Sequence, residues 1–103
     1  MTDSAATFDI DMKGGVLSLI ARGDWRARYL GAIDGKLRDF TDDSIGRDII
    51  IDLSAVEKLD TSGAMVLQRT FHACAERTSA SKIVGARDSH AALLEQVEQH
   101  LAP

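Results

Sequence analysis

The stretch Ile49–Leu67, IIIDLSAVEKLDTSGAMVL, decides how this chain is read. Ile49-Ile50-Ile51 with Leu53 is a short continuous apolar run, as expected of a central strand covered on both faces. Ser54 to Leu59 then reads as a loop carrying one apolar plug, Val56. Asp60-Thr61-Ser62-Gly63 follows and opens a helix. Its stripe is Ala64, Leu67, Phe71 and Cys74, widened by Val66 and Thr70. A buried strand thus feeds a loop that delivers Asp60-Thr61 to a helix start, where N–H groups are free and the partial charge is positive. Two readings of that corner stay open. Asp60 or Thr61 is an N-cap, worth about 1 kcal/mol. Alternatively, a phosphate on a hydroxyl there meets the helix donors, at a cost from the Asp60 carboxylate. Gly63 leaves room for close backbone approach at the same corner.

Upstream, Phe8, Ile10 and Met12 alternate with Asp9 and Asp11, the period of a half-buried strand at a sheet edge. Gly14-Gly15 is a turn, and Val16 to Ala21 a second strand of the same hairpin. Gly23-Asp24-Trp25 breaks the pattern. Leu30, Ile33, Leu37 and Phe40 then mark an amphipathic helix, ended by Asp42, Asp43, Ser44 and Gly46. Downstream, Ile83-Val84 is a buried strand closed by Gly85. Asp88 or Ser89 caps a last helix with the stripe Leu93, Leu94, Val97 and Leu101. The order β-β-α-β-α-β-α predicts an α/β fold, a mixed β-sheet with helices packed on it and right-handed parallel crossovers. The periodicity places Val16, Leu19, Leu30, Ile33, Leu37, Ile49, Ile51, Leu53, Leu67, Phe71, Ile83, Val84, Leu94 and Val97 in the core.

At 103 residues, residues 1–103 are expected to form one domain. The net charge of −4, with scattered basic residues, argues against nucleic acid or an anionic membrane as partner. Arg22, Arg26 and Arg28 are the one local basic concentration and read as a solvated face. Cys74 is the single cysteine, which excludes an intrachain disulfide and fits a reducing compartment. No signal peptide is visible at Met1 to Ala6, and no apolar run is long enough to cross a bilayer. A cytoplasmic domain without direct membrane insertion is expected.

Catalytic groups are hard to assemble. His72 lies two residues from Cys74, so the two point in different directions on a helix and make a poor metal site. His90 and His100 read as exposed residues of the last helix. No HExxH, CxxC or Walker-type glycine loop occurs. Neither Ser62 nor Cys74 has a base placed near it, and Cys74 reads as a small core residue. The expectation is no enzyme, no catalytic residue, no cofactor and no metal.

Asp52-Leu53-Ser54, Val56 and Asp60-Thr61-Ser62-Gly63 resemble the hallmark of the STAS family, the sulfate transporter and anti-sigma-factor antagonist domains. The element order agrees over nearly the whole chain. The resemblance implies a non-enzymatic regulatory or protein-interaction domain with the STAS fold. In free-standing antagonists a kinase-type anti-sigma factor phosphorylates the hydroxyl residue after the motif Asp, which falls on Thr61 here, with Ser62 beside it. The motif loop, Asp60, Thr61, Ser62 and Gly63, and the exposed face of the following helix would then meet the partner. Two departures are visible. Thr61 stands where serine is commoner, and the sequence stops at Pro103 where such antagonists usually add a strand and a helix. Gly23-Asp24-Trp25, Leu59 to Ala64 and Gly85 to Leu94 are also similar to the N-terminal STAS portion of Mla-type lipid ABC transporter permeases. The first expectation is therefore a domain controlling or assembling such a transporter, at the inner face of the membrane, with a transporter subunit as partner. The alternative is a free-standing anti-sigma-factor antagonist, switched by phosphorylation at Thr61 and partnered by an anti-sigma factor serine kinase. A nucleotide-binding sensor ranks third.

Overall fold

The computed structural model describes residues 5–76 and 80–101. Residues 1–4 and Pro103, on which the leader and end-point readings fall, lie outside the described residues. Strands β1 (Thr7–Lys13) and β2 (Val16–Trp25) form the expected hairpin. Gly14 and Gly15 turn it with φ of 58° and 82°, which only glycine adopts without strain. A short helix α1 (Ala27–Leu30), a 3-10 turn (Gly31–Ile33) and helix α2 (Asp34–Asp43) lead to β3 (Asp48–Leu59). Helix α3 (Thr61–Ala75), strand β4 (Ser81–Val84) and helix α4 (Asp88–Leu101) complete the order. The sheet runs β1-β2-β3-β4, antiparallel at the first pair and parallel at the other two.

Sequential parallel strands joined by right-handed crossovers put their helices on one face of the sheet. Burial follows that geometry. Leu17, Leu19 and Ala21 of β2 and Ile49, Ile51 and Leu53 of β3 are buried, while Val16, Ser18, Ile20, Ile50 and Asp52 between them are half-buried. The central strand is thus covered by helices on one face only. This corrects the two-face reading of its isoleucine run, which rests on the unbroken apolar sequence alone.

Other expectations change as well. The segment Ser54 to Leu59 is strand, not loop, and β2 continues through Gly23-Asp24-Trp25. Each segment lacks strand character alone, but the two are partners: Gly23 pairs with Val56, Asp24 with Lys58 and Trp25 with Leu59. Shifts of register between Ile20 and Arg22, and between Gly23 and Asp24, absorb the extra residues of β3. Trp25 is fully buried, as are Phe40, Val56, Ala64 and Cys74. Ile10 and Met12 are 49% and 47% exposed, because the helices do not reach over the outer strand. Val16, Phe71, Ile83 and Val84 sit half-buried at the margins of the core and not inside it.

Helices α3 and α4 run side by side with a constant offset of 26 residues. The Gln68 amide Nε2 donates to the Leu94 carbonyl at 3.0 Å, and His72 Nε2 meets Glu98 at 2.6 Å. One turn earlier on α4 lies His90, which is buried rather than exposed. Its spacing to Leu94 and Val97 puts it on the packed stripe. The His90 Nδ1 and Gln68 Oε1 atoms are buried without a partner. Burial pushes the His90 imidazole below its ordinary range, with Arg87 adding repulsion.

Close packing at the start of α3 sets a steric rule. A Cβ on Gly63 would stand 1.8 Å from the Trp25 carbonyl oxygen and 2.8 Å from Leu59 Cδ1. Gly35 in α2 faces open space. Helix propensity alone favours alanine at both by about 1 kcal/mol. Gly35→Ala should therefore stabilise the fold slightly, whereas Gly63→Ala should destabilise it by about 1–3 kcal/mol or more in urea unfolding. Equal behaviour of the two variants would contradict the packing. The buried His90 also sets a pH dependence. Its folded form favours the neutral ring, so the unfolded chain binds more protons and stability falls as pH drops below about 6.5. His90→Leu should lose less stability than the wild type between about pH 7 and 5.5, measured by thermal melting. Parallel curves would remove His90 as the cause.

Candidate functional site

The carboxyl ends of β2 and β3 meet the amino ends of α1 and α3 at one corner. Asp60 is the N-cap of α3, with extended backbone at φ −119° and ψ −176°. The Gly63 amide donates to Asp60 Oδ1 at 2.8 Å. The other carboxylate oxygen, Oδ2, accepts from the Ala27 amide at 3.0 Å, at the start of α1. One side chain therefore caps one helix and holds the first amide of another, 33 residues away in sequence. Within the cap reading, the structure places Asp60, not Thr61, as the cap.

Thr61 is the first residue of α3 and is exposed, as is Ser62 beside it. Gly63 is buried against Trp25. The four motif residues thus divide their work. Asp60 and Gly63 fasten the corner, and the two hydroxyl residues between them face outward. The exposed side of α3 continues through Arg69, with Met65 and Val66 half-buried. A cleft of about 400 Å³ separates this helix from α2 and is lined by Val66, Arg69 and Thr70 on one side and Leu37, Arg38 and Thr41 on the other.

A second carboxylate, this one buried, supports the corner. Asp24 is only 2% exposed. The Arg26 amide donates to Asp24 Oδ1 at 3.1 Å, and its guanidinium donates to both oxygens, Nη2 to Oδ2 at 2.6 Å. The Arg26 side-chain bonds hold the Asp24 carboxyl below its usual range against the opposing effect of burial. The basic trio is thereby dispersed. Arg22 pairs with Asp9 at 2.8 Å, Arg26 with Asp24, and Arg28 lies 5.2 Å over the Tyr29 ring.

Asp52 has a local task at the head of the motif. Its Oδ1 accepts from the Ser54 amide at 2.9 Å and the Ser54 hydroxyl at 2.7 Å. This turn coincides with the first shift of register in β3. Gly85, at φ 75°, packs against it, and a Cβ there would stand 2.8 Å from Asp52 Oδ1. Among the described residues no three His, Cys, Asp or Glu side chains group as metal ligands would. Cys74 is buried in the core, and His72 is engaged by Glu98. No described helix is long and apolar enough to cross a membrane.

The sequence reading located Asp60, Thr61, Ser62 and Gly63 but missed Asp24, Arg26 and the Ala27 amide. Asp24 and Arg26 lie two apart beside a glycine, a pattern that also describes an exposed turn.

Comparisons with known proteins agree with this architecture. The STAS domain matches residues 10–100. No curated protein matches the sequence. Among solved structures, the fold is similar to that of an anti-sigma factor antagonist from Mycobacterium paratuberculosis, with a TM-score of 0.70 and 21% identity. That alignment covers 93% of this chain and 82% of the other. The match over most of the sequence, on a mixed four-stranded sheet with a motif corner at Asp60, makes this chain a member of the STAS domain family.

Proposed function

We propose that this chain is a non-enzymatic interaction domain of the anti-sigma-factor antagonist kind, whose partner binding is switched by phosphorylation at Thr61. The observation that carries the reading is the division of labour in the motif. Both oxygens of Asp60 are engaged by backbone amides, while Thr61 beside them is exposed. The similar solved structure is of an anti-sigma factor antagonist, which favours this reading over control of a lipid ABC transporter. The partner class is an anti-sigma factor with serine or threonine kinase activity, and the setting is cytoplasmic.

Thr61 suits such a switch on physical grounds. A phosphate there adds about −1.5 to −2 charge at the first position of a helix, where the dipole favours it. The neighbouring Asp60 carboxylate opposes it but is held by two N–H donors. The modification therefore changes the sign of the local surface without entering the core. Docking would use Thr61, Ser62 and the exposed side of α3, with the α2–α3 cleft at its flank. The domain itself supplies only the acceptor hydroxyl, that of Thr61. The phosphoryl donor and the catalytic machinery belong to the partner.

Thr61→Glu should weaken association with a kinase-type anti-sigma factor by at least about tenfold, while the melting temperature moves by only about 2 °C. Thr61→Ala should bind like the wild type, because Asp60 and not Thr61 caps the helix. Incubation with the kinase and ATP should place one phosphate, located by mass spectrometry, on Thr61. Phosphate on Ser62 alone, or wild-type binding by Thr61→Glu, would refute the switch. Retention by a transporter subunit and not by the kinase would assign the domain to transporter control.

A further inference from the structure

Helices α3 and α4 keep one register along their seam. Gln68 meets Leu94 and His72 meets Glu98, each pair 26 residues apart in sequence. Carried about three helical turns toward the amino ends, the position of His72 and Glu98 falls on Thr61 and Arg87, which stand at the same separation of 26. Both residues are exposed, Thr61 as the first residue of α3 and Arg87 as the residue before α4. Arg87 already follows the helical course, since the Ala91 amide donates to its carbonyl at 2.7 Å. Its guanidinium turns toward the motif, where Nη1 donates to the carbonyl of Glu57, just before Asp60, at 3.5 Å. That bond is long. Arg87 forms no ion pair among the described residues.

We propose that Arg87 is the internal partner of phosphorylated Thr61, closing the open end of the α3–α4 seam with a phosphate–guanidinium pair. The inference rests on the phosphorylation reading above and names the residue that receives the modification. Farther along the seam His72 and Glu98 already close it in the same way. A guanidinium presents its N–H donors in a planar fork that matches phosphate oxygens. The phosphate's charge of about −1.5 to −2 is opposed by Asp60 and by Asp88 in the first turn of α4. Asp60 is committed to two amides, and Arg87 supplies the opposite charge from the α4 side. The competing cation is Arg28, next to Ala27 on the α1 side, but its guanidinium lies over the Tyr29 ring. Phosphorylation then has two effects on the surface. It adds negative charge at Thr61, and it withdraws the Arg87 cation while tying the start of α4 to the start of α3.

The test uses the full chain with phosphothreonine genetically encoded at position 61, so that no kinase is involved. Phosphorus NMR follows the second ionisation of the phosphate with pH. With Arg87 present that ionisation should lie at least about 0.3 pH unit lower than in Arg87→Gln. The gap should shrink at about 1 M salt. Arg87→Lys should fall between the two, because it keeps the charge and loses the fork. Arg28→Gln should titrate like the chain with both arginines. The Arg87 Nε–H signal should move as the phosphate ionises, and the amides of Asp88–His90 should exchange more slowly than in the unphosphorylated chain. Equal ionisation with and without Arg87, or a shift that follows Arg28→Gln instead, would overturn the proposal and leave the switch itself standing. Failure of a kinase to modify Thr61 would refute the switch, and the titration would still decide the pairing.

Discussion

The Asp60 carboxylate is the contact on which the motif corner of this molecule depends. A helix start leaves N–H groups without intrahelical partners, and two such starts meet beside this one side chain. Its oxygens divide between them, one to Gly63 in α3 and one to Ala27 in α1. The two helices are thereby fixed relative to each other and to the strand ends beneath them. The lack of a side chain at residue 63 lets α3 start against the Trp25 carbonyl. Asp24 and Arg26 complete the corner with an ion pair in which the buried Asp24 has both carboxylate oxygens satisfied. What faces solvent is the pair Thr61 and Ser62 between the two fastened residues.

This arrangement separates presentation from stability. The core lies between the sheet and one layer of helices, built from Leu19, Ile51, Leu53, Phe40 and Leu67. Nothing in that core contains the Thr61 side chain, so a charge added there acts on the surface. The α3–α4 seam lies behind the motif helix, with Gln68 tied to the Leu94 carbonyl and His90 buried one turn nearer the helix start.

Much of this was legible in the sequence, for physical reasons that differ by element. The hairpin was legible because period-two alternation flanks a Gly-Gly turn, and the motif corner because Asp followed by Gly three residues later suits a cap. The continuation of β2 and β3 was not. Gly23-Asp24-Trp25 and Ser54 to Leu59 acquire strand structure only from each other, and pairing between distant segments leaves no periodic signal in either. Burial of His90 had a signal, its spacing to Leu94 and Val97, which the polarity of histidine outweighed. The half-open sheet was hidden because Ile49-Ile50-Ile51 is apolar at every position, so alternation cannot report which face the helices cover. Of the Asp60 contacts, the local cap was readable. The bond to Ala27 was not, since it follows from the crossover that brings α1 and α3 together.

Amide hydrogen exchange at Ala27 and Gly63 tests this account most directly, compared between the wild type, Asp60→Asn and Asp60→Ala. Asparagine keeps one acceptor oxygen and alanine none. The account predicts that Asp60→Ala speeds exchange at both amides, while Asp60→Asn speeds it at one and spares the other, with the Ile51 amide slow in all three. Unchanged exchange at Ala27 in Asp60→Ala would contradict it, since Asp60 would then be a cap for α3 alone.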